Sequence, residues 1–177
     1  MATDKLGFFL FHSPMSRYRP PAPPKSPYIT AEGMRRLEAE QKAIWLRRRE
    51  VVAALSAAAA EGDRSENAEY IYRKKELGGI DRRIRYLQKR LPDLTVVSEK
   101  PAIRDRVYFG ATVQLEDENE NISIYRIVGP DEHDHEENHI SVDSPLARSL
   151  LKRELGEEVT VEVPAGVHCY LITNISY

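Results

Sequence analysis

The sequence predicts an α+β protein in two parts. An antiparallel two-helix coiled coil comes first, and a small antiparallel sheet with one helix follows. Three observations predict this. Apolar residues recur at helical steps from Leu37 to Leu91. A turn-prone decapeptide, "EGDRSENAEY" (Glu61–Tyr70), interrupts that stretch. Beyond Pro92 the period changes to alternation. A chain of 177 residues suffices for one or two small domains with modest cores.

Residues 1–27 read as a disordered, proline-rich tail, because "RPPAPPKSP" (Arg19–Pro27) favours polyproline II or disorder over a packed element. Met15 opens a segment that itself suits an N-terminus, so residues 1–14 read as an upstream extension. Ala2 or Thr3 found at the N-terminus of the native protein by mass spectrometry would refute that.

The coiled-coil domain is placed at residues 28–98. Thr30 is a suitable N-cap, and Glu32 suits the positive end of a first helical turn. Gly33 weakens that start. Leu37, Ile44, Val51 and then Leu55 form a heptad seam, with polar Gln41 and Arg48 at the intervening positions. The alanine-rich run to Ala60 permits close approach of a second helix, and Gly62 suits a left-handed stop. The second seam, Leu77, Ile80, Ile84, Leu87 and Leu91, alternates steps of three and four, extends back to Tyr70 and ends at Pro92. Helices joined so briefly run antiparallel. At ~1.5 Å per residue, a helix from residue 30 to 61 is about 48 Å long, so the pair predicts a protruding rod with residues 61–69 at its tip.

Residues 99–177 form the second domain. "DRVYFGATVQLED" and "ISIYRIVGP" alternate as strands around "DENEN". "SPLARSLLKREL" (Ser144–Leu155) reads as a helix capped by Asp143 or Ser144, with Pro145 in its first turn and Gly156 beyond its end. "EEVTVEVP" and "GVHCYLITNISY" read as two further strands.

The net charge of −2 does not by itself point to nucleic acid. Local charge is more informative: Arg35 to Arg90 is rich in Arg and Lys, whereas Glu116 to Glu137 is mostly acidic. The single cysteine, Cys169, excludes an internal disulfide and reads as a small core residue, which fits a reducing cytosol. No apolar run approaches the roughly 20 residues that cross a bilayer, and "LGFFLF" is too short for a signal-peptide core. A cytoplasmic monomer with no membrane role is expected.

The acidic tip has two readings. Asp63 with Glu66 has capping-box spacing, and Ser65 could cap instead. Alternatively, two carboxylates three residues apart share a cation. Oxygen ligands suit Mg²⁺, which one or two carboxylates hold only with help from water or phosphate oxygens. That predicts an incomplete metal site at the end of an arm. Behind it lie Arg64, Arg73, Lys74 and Lys75, with further cations along both helices. Such a stripe suits phosphates, and the competing reading is a solvated face of i,i+4 pairs, such as Glu66 and Glu69 with Arg73. Tyr70 and Tyr72 could stack on bases.

"GDRSENAEY", "YIYRKK", "IDRRIRYLQKRL", "VYFGATVQLED", "RIVGPDE" and "ISVDSPLARSLLKRELGEEVTVEVPAG" together resemble the bacterial transcript-cleavage factors of the Gre family. The match runs from about Tyr28 to Tyr177, with Glu69 where family members often carry Asp. The resemblance implies an FKBP-like second domain and bacterial RNA polymerase as partner. It implies that the rod enters the polymerase secondary channel, where Asp63 and Glu66 help to hold a catalytic Mg²⁺ and the attacking water, assisted by Ser65. Lys74 and Lys75 match the patch that attracts the RNA 3′ end of a backtracked complex. Asp143, Ser144 and Pro145, with Leu146, match the region that docks on the coiled coil at the channel rim. The cleavage then belongs to the polymerase, and the factor is not itself an enzyme.

Three other readings remain open at this level. The rod could block the channel without promoting cleavage. An FKBP-like domain could act as a proline isomerase, although no aromatic-lined pocket is identifiable and Trp45 lies in the rod. His133, His135 and His139 could bind Zn²⁺, against the simpler reading of a solvated loop.

Overall fold

The chain enters and leaves the rod through a parallel pair of three-residue strands, β1 (Tyr28–Thr30) and β2 (Thr95–Val97). The structure is a computed structural model, and it describes residues 23–60, 66–99, 101–102, 104–132, 138–163 and 166–177. Helix α1 spans Ala31–Ala60 and helix α2 spans Ala68–Arg90. A 3₁₀ turn at Leu91–Asp93, with Pro92 inside it, reverses the chain so that β2 runs beside β1. Both strands are too short to leave a periodic signal in the sequence.

The rod forms as its heptads predict. Leu37 and Val51 are buried, Ile44 and Leu55 are partly buried, and the seven-residue step continues to buried Ala58. Ile84 and Leu87 are buried on the facing helix. Ion pairs cross the seam at Glu40–Arg83 (2.6 Å), Arg48–Asp81 (2.7 Å) and Arg47–Glu76 (2.6 Å). Pairs this exposed add little stability, and salt screens them. Their value lies in fixing register, and polar Arg48 within the seam is explained by Asp81 opposite it.

Residues 104–177 build a five-stranded sheet in the order β5-β4-β3-β7-β6. The strands are β3 (Thr112–Asp117), β4 (Ile122–Val128), β5 (His139–Ser141), β6 (Glu158–Val163) and β7 (Gly166–Ser176). Neighbours are antiparallel except β4 and β5, which run parallel. Val113, Leu115, Ile127, Val159 and Ile172 meet Ala147 and Leu150 of α3 (Pro145–Leu150) in one core. A bulge in the β3–β7 pairing lets both Ile172 and Ile175 contribute, because the extra residue shifts which parity faces inward.

Three expectations need correction. The helix expected over Ser144–Leu155 is only Pro145–Leu150 (α3). Ser144 caps it, with its hydroxyl accepting from the Ala147 N–H at 3.2 Å. Lys152 then adopts a left-handed φ of +69°, and the Lys152 N–H donates to the Val107 carbonyl at 2.7 Å. Long-range backbone bonding within the chain overrides good helix formers there. Cys169 is not a core residue: it is half-buried, with Sγ 3.6 Å from Thr160 Oγ1 on an exposed position of β6. The tail expected up to Pro27 is not wholly free, because Lys25 and Ser26 are bonded to Tyr86 and Arg90 of the rod and to Asp131 and Asp143 of the second domain.

Candidate functional site: the tip and base of the rod

Asn67 decides how the tip is made. Its side-chain oxygen accepts from the Tyr70 N–H at 3.1 Å, which caps α2, while its Nδ2 donates to the Ala58 carbonyl of α1 at 3.0 Å. One amide therefore satisfies a first-turn donor of one helix and a last-turn acceptor of the other. The capping box expected of Asp63 and Glu66 is overturned, since α2 starts only at Ala68 and Glu66 precedes the cap. An asparagine directly before "AEY" is the signal that could have found it.

Glu66 is exposed, and no described residue bonds its carboxylate. Asp63, Arg64, Ser65 and Gly62 lie outside the described residues. Glu69, in the first turn of α2, pairs with Arg73 at 2.7 Å, as the solvated-face reading expects. Arg73 also reaches Glu76 at 2.9 Å and lies over the Tyr72 ring. Hydrogen bonds from Arg47 and then Arg73 hold the Glu76 carboxyl below its ordinary pKa, so it stays ionised and keeps both arginines engaged. Lys74 lies 5.9 Å from the Tyr70 ring centroid.

A second line of cations runs along α2. Lys75, Arg82, Arg85 and Lys89 follow exposed Ile71 at helical steps of three, four and seven. All are exposed, and none has an ion pair among the described residues. The basic surface therefore divides. Arg47, Arg48, Arg73 and Arg83 are bonded to carboxylates of the rod, whereas Lys75 and the cations behind it remain available to phosphate. Ile71 and Tyr72, at 52% and 58% exposure, offer apolar surface beside them.

The base of the rod is the opposite case. Glu132, 7% exposed, follows strand β4 in the loop "GPDE". Its Oε1 accepts from the Thr30 N–H at 2.9 Å and the Gly129 N–H at 2.7 Å, and its Oε2 accepts from the Thr30 hydroxyl at 2.6 Å. Thr30 Oγ1 in turn accepts from the Gly33 N–H at 2.9 Å, so Thr30 caps α1 as expected. A Cβ on Gly33 would overlap the Glu132 carboxylate. The glycine that weakens the helix start in sequence terms makes room for that side chain.

Asp131 grips the other helix. It accepts from Tyr86, from Arg90 at 2.7 Å and from Lys25 at 3.0 Å, with its carboxylate 4% exposed. Burial opposes its ionisation, but hydrogen bonds from Tyr86, Arg90 and Lys25 outweigh burial and hold its pKa below the ordinary carboxylate value. Arg90 also donates to the Ser26 carbonyl.

Asp143 accepts from the Ser26 N–H at 2.9 Å. Ser144 is spent on the α3 cap, Leu146 packs against the core, and Pro145 is exposed. Of the histidines, His139 is buried in β5 rather than in a polar loop, while His133 and His135 lie outside the described residues. Among the described residues, no three acidic, His or Cys side chains gather in a metal-holding group, and no helix is long and apolar enough to cross a membrane.

Residues 27–96 match the family model described as "Transcription elongation factor, N-terminal". Residues 100–177 match "Transcription elongation factor, GreA/GreB, C-term". The chain is 57% identical over 164 residues to Transcription elongation factor GreB of Pseudomonas aeruginosa, covering 92% of this chain and 98% of that protein. The chain belongs to the GreA/GreB family of transcription elongation factors. A GreB from Xanthomonas axonopodis pv. citri is 55% identical over 165 residues, with the same coverage of 92% and 98%. Among solved structures, GreA factor homolog 1 of Thermus thermophilus aligns over 85% of this chain and 98% of its own, at 22% identity and a TM-score of 0.40. The GreA/GreB elongation factor from Nitrosomonas europaea aligns over 86% and 100%, at 21% identity and 0.40. The antiparallel coiled coil followed by an α+β domain is the architecture expected of a GreA/GreB member.

Proposed function

We propose that this protein acts on bacterial RNA polymerase by inserting its rod into the secondary channel and stimulating the polymerase's own cleavage of backtracked RNA. The observation that carries this reading is the placement of exposed Glu66 at the far end of α1 and α2, about 45 Å along the helix axis from the domain junction. A carboxylate so placed contributes nothing to a core. The family membership supports the choice of partner.

Asp63 and Glu66 would hold a Mg²⁺ and orient its water, with Ser65 assisting. Oxygen-only donors fit Mg²⁺, and two carboxylates leave most of its coordination to water and to the partner. Once bound there, Mg²⁺ would neutralise charge at the reacting phosphate and make its water more acidic. Lys74 and Lys75 attract the extruded RNA, with Arg64 ahead of them and Arg73 steadied by Glu69 and Glu76. Exposed Pro145, with partly buried Asp143, Ser144 and Leu146 around it, marks the region that meets the channel rim. The isolated protein, a monomer, has no nuclease activity of its own.

The test is addition of the protein to a backtracked elongation complex with Mg²⁺. Shortened, re-extendable transcripts are expected. Binding without any increase in cleavage would overturn the reading in favour of a channel-blocking regulator.

A further inference from the structure

We propose that Glu132 and Asp131 are positioning residues: adjacent carboxylates of one loop that clamp the two helices of the rod at a fixed angle and so place the tip. This rests on the function proposed above. Glu132 holds the N-terminus of α1 through Thr30, and Asp131 holds the C-terminal end of α2 through Tyr86 and Arg90. One anchor would leave the rod free to pivot. Two anchors on two helices oppose both roll about the rod axis and tilt in the plane of the two helices.

Geometry sets the tolerance. Packed helices lie about 8–10 Å apart, and α1 is about 45 Å long, so a 1 Å slip of one anchor relative to the other moves the tip by roughly 5 Å. An error near 1 Å at reacting groups can cost about 100-fold in rate. The junction must therefore hold to a fraction of an ångström for tip carboxylates to meet their target. The contacts suit that demand. The Glu132 carboxylate receives three hydrogen bonds from Thr30 and Gly129 and occupies the space a side chain at Gly33 would fill. Lys25, Ser26 and Asp143 add a strap from the preceding segment across to the second domain. Burying two carboxylates is a poor route to stability, so their use here is better explained by directional hydrogen bonding than by net binding energy.

Gly33→Ala is the sharpest probe. It removes no charge and adds a better helix former, yet its methyl group displaces the Glu132 carboxylate. Glu132→Ala is the second variant. Each is made in the full-length chain with Cys169→Ser and with spin labels on cysteines replacing Ala57 near the tip and Glu118 on the second domain. Distance distributions are read by double electron–electron resonance. Stimulated cleavage is titrated with factor on a backtracked complex, and thermal unfolding checks that both variants fold. The parent should give one narrow distribution. Both variants should broaden or shift it by about 5 Å. Maximal cleavage should fall about 10-fold or more, while the half-saturating concentration stays within about threefold. A simple loss of folding would raise the half-saturating concentration instead, and that result in both variants would overturn the proposal. So would a broad parent distribution, an unchanged distribution in both variants, or a displaced tip with undiminished maximal cleavage. If the distances respond as expected but the parent stimulates no cleavage, the clamp stands as a structural device and the reading of the tip falls.

Discussion

At the base of the rod, Asp131 and Glu132 are sunk among donors from three separate segments; at its tip, Glu66 stands in solvent and Glu69, among the described residues, meets only a neighbouring arginine. The same functional group is used in two opposite ways. Buried and fully bonded, a carboxylate can define a geometry but can bind nothing further. Exposed on the end of an arm, it defines little and keeps its lone pairs for a ligand. The difference teaches where to look for function in an elongated protein. The best-bonded acidic residues hold the scaffold, and the poorly bonded ones away from any core are the candidates for chemistry.

The comparison can be broken most forcefully by making one substitution at both ends. Glu132→Ala leaves the buried donors of Thr30 and Gly129 without their acceptor and should cost about 3 kcal/mol of unfolding free energy, whereas Glu66→Ala should stay within about 0.5 kcal/mol. Urea titration of both variants checks this, and equal costs would remove the distinction. Asn67→Ala comes next. It deletes the α2 cap and the bond to Ala58, and should lower stability by about 1 kcal/mol. Hydrogen exchange should show the loss concentrated at the helix ends near the tip.

Acid should weaken the base with a definite sign. The Asp131 carboxyl is held below its unfolded value, near 3.9, so its contribution is present above that value and is lost as pH falls through the lower folded one. Urea midpoints should drop below about pH 4 in the parent, and Asp131→Asn should show a shallower drop. The smallest expected effect is on the shaft. Charge reversal at Arg82 and Arg85 should leave the fold intact, weaken polymerase binding at low salt and flatten its salt dependence, because no rod carboxylate among the described residues holds them. Unchanged binding across a salt series would assign those cations to a merely solvated face.

The rod was legible because seams at Leu37, Ile44 and Val51 and from Leu77 to Leu91 obey a simple period, and because Thr30 and Ser144 are strong caps in the right places. What escaped was tertiary. Strands β1, β2 and β5 have three residues each, too few for alternation to show. The expected helix beyond Leu150 yielded to backbone bonding between Lys152 and Val107. Gly33 reads as a flaw until Glu132, distant in sequence, is seen to occupy its space. At the tip, acidic spacing drew attention to a capping box, while Asn67 could be weighed properly only with Ala58 of the other helix beside it.

The central claim is that the tip supplies ligands to a site completed elsewhere. The most direct test compares the parent with an Asp63→Asn, Glu66→Gln double variant on backtracked complexes, with factor saturating and Mg²⁺ varied. The parent should raise the cleavage rate and lower the Mg²⁺ needed for half-maximal rate. The double variant should still bind but lose about 100-fold or more of the stimulation, equivalent to about 2.7 kcal/mol of transition-state stabilisation. Undiminished cleavage by the double variant, with the same Mg²⁺ dependence as the parent, would contradict the account.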